Sequence, residues 1–173
     1  MKTDSDSTDR PVVIGVGNTL MSDDGVGPAA VAELRRRGLG ERAELIDAGL
    51  AFSEVLCDLQ PTQPLIVIDA VRGGGKGGSI YQLTIDDLAA EGGSLASAVS
   101  LHEVNVLPAL RMEALGGRCF ADVTVLGVEP VRLAWGEGLS LPVAEAMEKL
   151  IQVATGLVDR ARPADRARDS SAA

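Results

Sequence analysis

A chain of 173 residues with 46% hydrophobic residues and a formal net charge of −9 is long enough to bury the core of one domain. An acidic balance of this size excludes nucleic-acid binding through a basic face and docking on an anionic membrane. The opening segment, residues 1–10, is polar with no apolar run, and no stretch approaches the roughly 20 apolar residues of a membrane span, so the sequence implies no membrane insertion and a cytoplasmic location. Cys57 and Cys119 have no CxxC spacing and no further cysteine, which argues against a zinc knuckle or a disulfide framework and for reduced, buried thiols.

Val12-Val13-Ile14-Gly15-Val16 reads as a first buried strand. After Gly25, Val26, Ala30 and Leu34 recur at helical spacing, with Pro28 in the first turn and Gly38 as a stop. Glu44 to Asp47 forms a second short strand, Leu50 to Leu59 a short helix ended by Gln60-Pro61, and Leu65 to Val71 a central parallel strand covered on both faces. The glycine-rich link Gly73 to Gly78 is so short that Ser79 to Thr84 should be an antiparallel edge strand. Ser100-Leu101-His102-Glu103 has the form of a capping box opening a helix that Pro108 would kink or delay. Val123 to Val128 is a fifth strand. Ser140 should cap a last helix carrying Val143, Met147, Leu150, Ala154 and Leu157 on one face. Residues 1–10 read as a polar extension, 11–159 as a single α/β domain and 160–173 as a disordered tail.

Three residues stand where ligands gather in open α/β sheets, at strand ends and helix starts: Asp24, Asp69 and His102, the last being the single histidine of the chain. Two carboxylates and an imidazole suit Zn²⁺, Ni²⁺ or a similar ion while leaving positions open for water or substrate. Competing chemistries lack their parts, since there is no HExxH, no GxSxG elbow and no DTG signature. The opening Gly15-Val16-Gly17-Asn18-Thr19-Leu20 has leucine where a dinucleotide fingerprint needs its third glycine, although Asp47 ends the second strand where a ribose-binding acid would sit. Gly73 to Gly78 fails as a phosphate loop, because Gly77 follows the lysine where Ser or Thr is required. It reads either as a flexible turn or as a mobile rim beside Asp69.

The ordered set Gly15-Val16-Gly17-Asn18-Thr19-Leu20…Asp23-Asp24-Gly25-Val26-Gly27, Val67-Ile68-Asp69-Ala70, Ser100-Leu101-His102-Glu103, Gly127-Val128-Glu129-Pro130 and Gly136-Glu137-Gly138-Leu139-Ser140 resembles the NiFe-hydrogenase maturation endopeptidases over roughly residues 12–158. That resemblance implies a three-layer αβα, phosphorylase/hydrolase-like fold with a twisted, mostly parallel sheet of about five strands. It further implies an endopeptidase that removes the C-terminal extension of a NiFe-hydrogenase large-subunit precursor after nickel insertion. Asp24, Asp69 and His102 would serve as catalytic residues and as ligands of nickel, presented by the precursor rather than permanently bound, with another divalent metal as the alternative ion. Asn18, Gly73, Gly74 and Gly75 would contact substrate. Relatives often carry an acid where this chain has Arg72. Two other readings stay open: a non-cleaving, nickel-checking chaperone of the same fold, and a nucleotide-binding α/β enzyme built on Gly15 to Gly27 and Asp47.

Overall fold

In this computed structural model the described residues are 10–85, 87, 106–120 and 122–161. Strand β1 (Val12–Val16) leads through a 3-10 turn (Ser22–Gly25) into helix α1 (Val26–Arg36), followed by β2 (Glu44–Gly49), α2 (Phe52–Asp58), β3 (Leu65–Ala70) and β4 (Ile80–Thr84). Then come α3 (Val106–Leu115), β5 (Val123–Val128) and α4 (Leu141–Ala161). The described strands form one sheet in the order β2-β1-β3-β5-β4. Every neighbouring pair is parallel except β4 with β5. The expected antiparallel edge strand is therefore β4, but it pairs with β5 rather than with β3, so the short glycine link crosses the end of β5 instead of closing a hairpin.

Alternation along each strand sorts the apolar side chains into two layers. Val12, Ile14, Val16, Leu65, Val67, Val123 and Val125 pack with Phe52 and Leu56 of α2 and with Val106, Leu107 and Leu110 of α3. Val13, Ile66, Ile68, Leu126 and Val128 pack on the opposite face with Val26, Ala30 and Leu34 of α1 and with Val143, Leu150, Ile151, Ala154 and Val158 of α4. The sheet is thus sandwiched between helices, which is why β1, β3 and β5 read as continuous apolar runs. By the same alternation Asp69 follows Leu65 and Val67, so its side chain lies on the α2 and α3 face, at the carboxyl edge of the sheet.

Four details depart from the sequence reading. Cys57 and Cys119 are exposed, because Phe52 and Leu56 take the buried stripe of α2 and Cys119 follows α3 in irregular chain. Helix α2 begins at Phe52 rather than Leu50, after Gly49 takes a positive φ of 52°. Helix α4 carries regular structure through Ala161, two residues beyond the expected domain limit. Ser140 opens that helix through its backbone, its carbonyl accepting the N–H of Ala144, while its hydroxyl is committed elsewhere. The capping box Ser100 to Glu103, His102 included, lies outside the described residues, and so do residues 1–9 and 162–173.

Candidate active site

The loop leaving β1 is built by close backbone approach. A Cβ at Gly15 would stand 2.4 Å from the Gly27 carbonyl oxygen, one at Gly27 would stand 2.4 Å from that of Ile68, and one at Gly17 would stand 1.8 Å from that of Asp24. These glycines let α1 start directly on the ends of β1 and β3. The loop's N–H groups are turned to its own stabilisation: Gly17 donates to the Gly49 carbonyl, Met21 to the Asn18 carbonyl and Leu20 to Asn18 Oδ1. A phosphate would find those donors taken, so the nucleotide reading loses its cradle. Asp47, for its part, is exposed and accepts the N–H of Gly49.

Asp23 and Asp24 are adjacent in sequence and opposite in role. Asp23 is fully buried and accepts four hydrogen bonds, from the N–H groups of Val131, Arg132 and Ser140 and from the Ser140 hydroxyl. Burial pushes its carboxyl up, yet the donors from Ser140, Arg132 and Val131 outweigh that and hold it below the usual range. Ser22, at a φ of 55°, donates to the Ala134 carbonyl and accepts from Arg132 Nε. Together they stitch the loop after β1 to residues 131–140. Asp24 faces outward, half-buried, and the Asn18 N–H at 2.8 Å is its one donor among the described residues. Its carboxylate keeps accepting capacity for something else. Asn18 thus orients Asp24 through its backbone, and its side-chain amide closes an Asx turn on Leu20.

Asp69 sits 3% exposed at the end of β3, with Oδ1 accepting the Ala70 N–H at 2.8 Å. The chain then enters the glycine-rich link, which a third acid organises. Glu129, 8% exposed just beyond β5, accepts the N–H of Gly73 at 2.7 Å, that of Gly75 at 3.2 Å and the Tyr81 hydroxyl at 2.6 Å. Two of the three glycines assigned to substrate therefore have their N–H groups engaged internally. A Cβ at Gly73 or Gly75 would fall 2.5 Å and 2.4 Å from Tyr81 atoms, which accounts for the glycine density. Gly74, at φ 77° with open space around it, forms the crest of the link.

Asp24 and Asp69 thus share the carboxyl edge of the sheet, on the loop after β1 and at the end of β3, its parallel neighbour. The third predicted member, His102, precedes the described start of α3 by four residues, and α3 packs on the face to which Asp69 belongs. Among the described residues no three or more His, Cys, Asp or Glu side chains are grouped to hold a metal. Sequence reasoning missed Asp23 and Glu129 as organising acids. Their signals were present, in the doubled aspartate and in the Glu-Pro after β5, but their contacts span 108 and 56 residues.

The profile of the HycI family, described as hydrogenase maturation protease, matches residues 28–157. The chain is 30% identical over 152 residues to the hydrogenase expression/formation protein HupD of Bradyrhizobium diazoefficiens, covering 87% of this chain and 78% of that one. It is 33% identical over 140 residues to the hydrogenase 2 maturation protease of Escherichia coli, covering 80% and 83%. Its fold superposes on the hydrogenase maturating endopeptidase HybD of E. coli with a TM-score of 0.70 at 24% identity, over 87% and 93% of the two chains.

Proposed function

The chain belongs to the hydrogenase maturation protease family, and from that premise we propose that it is the endopeptidase that removes the C-terminal extension of a NiFe-hydrogenase large-subunit precursor in the cytoplasm. The observation that supports the reading is that Asp24, in the turn after β1, and Asp69, at the end of β3, belong to the same carboxyl edge of two adjacent parallel strands. His102, the third member of the proposed set, lies outside the described residues, and its place beside the two carboxylates is part of the proposal.

Nickel enters as part of the substrate. Precursor thiolates would hold it, and the two carboxylates and the imidazole would fill its remaining positions, so that only a loaded precursor is bound in register. An ion so held can polarise the scissile carbonyl or lower the pKa of an attacking water. The alternative is general-base attack by Asp24 or Asp69, with nickel as a recognition handle only. A carboxylate beside a cation is a weaker base, because the charge lowers its pKa, which favours the first version.

The test is mass spectrometry of nickel-loaded precursor incubated with the wild-type protein and with Asp24→Asn, Asp69→Asn and His102→Ala. The proposal expects cleavage by the wild type, dependent on nickel, and loss of at least about 100-fold in each variant, the cost of removing a group that stabilises the transition state. An unchanged precursor mass with the wild type would make the protein a nickel-checking binder instead. Full activity in all three variants would remove the site.

A further inference from the structure

Glu129 carries a cluster that neither ligand binding nor core packing accounts for. Its carboxylate is buried, and it draws in three donors from two separate segments, the N–H groups of Gly73 and Gly75 and the hydroxyl of Tyr81. Its backbone ties the far end of the same link, since the Gly78 N–H donates to the Glu129 carbonyl and the Glu129 N–H donates to that of Ser79. A buried carboxylate is costly unless donors meet it, and two of the three that meet this one come from the link that follows Asp69, the third from Tyr81 of β4.

Register explains why that link matters. Gly127 of β5 pairs with Asp69 on one side and with Tyr81 on the other. Paired residues present their side chains to the same face, so Asp69 and Tyr81 flank Gly127 in one row, about 10 Å apart at two strand spacings. Gly127 leaves the row open for Val71, whose side chain a Cβ at Gly127 would strike at 2.7 Å. Tyr81 in turn lies against Gly73 and Gly75, where any Cβ would force its ring to shift. Asp69, Val71, the link and Tyr81 therefore form one packed unit, and Glu129 sets the conformation of its only irregular part.

We propose that Glu129, acting with Tyr81, is a positioning residue that fixes the Gly73 to Gly75 link beside Asp69 and so sets the register in which the extended substrate segment lies across the site. The inference rests on the proposed endopeptidase reading. It assigns the glycines a different role from direct donation: the Gly73 N–H turns inward to Glu129, the Gly75 N–H is shared between the Tyr81 hydroxyl oxygen at 2.9 Å and Glu129 at 3.2 Å, and the crest at Gly74 is what a substrate meets. Freed from the clamp, the link would sample many conformations, because glycine loses more freedom on ordering than any other residue. The bound precursor would then occupy a productive register only part of the time. Affinity for a folded protein substrate comes from a wider surface than this link, so the loss should fall on the rate of the bound complex.

The experiment measures cleavage of nickel-loaded precursor by wild type, Tyr81→Phe, Glu129→Gln and the double variant, together with amide hydrogen exchange of the free proteins. The expected result is a kcat lowered at least tenfold by Glu129→Gln and severalfold by Tyr81→Phe, with KM within twofold. The double variant should be no worse than Glu129→Gln, since both remove one clamp. Exchange at Gly73 should accelerate while that at Gly78, held by the Glu129 carbonyl, stays slow. Cleavage by both variants at the wild-type rate, or unchanged protection at Gly73 in Glu129→Gln, would overturn the inference and leave the endopeptidase reading standing. Failure of the wild type to cleave would remove that reading, and the inference with it.

Discussion

The loops that follow β1 and β3 both border a candidate site acid, and they are held in opposite ways. The loop after β1 supplies the anchoring acid itself: Asp23 collects donors from residues 131–140, immediately beside Asp24. The link after β3 supplies the donors, and Glu129 from beyond β5 collects them. Asp69 belongs to the strand ladder, pairing with Gly127. Damage to the first loop should therefore displace Asp24 and destabilise the fold together, whereas damage to the second should leave Asp69 and the fold in place and alter only what surrounds them.

The largest effect expected from breaking this contrast is at Gly17. Its φ is 128° and a Cβ would lie 1.8 Å from the Asp24 carbonyl oxygen, so Gly17→Ala should cost about 3 to 5 kcal/mol, the range in which marginal domains fail to fold. Soluble yield and urea denaturation would show it, and a normal midpoint would mean that the first loop tolerates a shift. Asp23→Ala comes next. It strands three partly buried backbone N–H groups, and about 2 kcal/mol is expected from the cost of unmet donors. Its pH signature is separable. The folded carboxyl sits below its ordinary value, so its stabilisation is full above the unfolded pKa of about 3.9 and is lost as pH falls through the lower folded value. Asp23→Asn should flatten the acid limb of a stability-versus-pH curve below about pH 4, and an unaltered limb would deny Asp23 that role.

On the second loop the expectation is smaller. Tyr81→Phe removes one of Glu129's donors and should lower stability by about 1 kcal/mol, a smaller drop than that of Asp23→Ala in the same urea series. A larger loss would erase the distinction between the two loops. Smallest of all is the exposed network on the far side of the molecule, where Arg37 bridges Glu33 of α1 and Glu148 of α4. The Arg36 and Arg37 guanidiniums hold the Glu33 carboxyl down to about 2, but solvent and salt screen these charges. Arg37→Ala should leave the melting temperature unchanged at high salt.

How much of this was readable in the sequence depends on how local the cause is. The strands β1, β3 and β5 were plain because a strand covered on both faces must be apolar at every position, and the antiparallel edge strand followed from the length of one link. The places of Asp24 ahead of a helix and of Asp69 at a strand end were readable because a carboxylate at the end of a buried strand or at a helix start is conspicuous against its neighbours. Asp23 was not distinguishable from Asp24 by type. Its role appears only when residues 131–140 fold over it. Glu129 was visible as part of a motif, yet nothing near it in sequence states that it faces a glycine run 54 residues earlier. The cysteines misled for a related reason: cysteine is usually buried, but on α2 the neighbouring Leu56 takes the inward position.

The central claim is that Asp24, Asp69 and His102 form one site, and its most direct test is a crystal structure of the protein soaked with Ni²⁺. The account predicts one ion bridging the two carboxylates and a ring nitrogen of His102, with the three groups within about 5 Å of one another. A His102 ring lying well beyond that distance from both carboxylates, with nickel elsewhere on the surface, would contradict it.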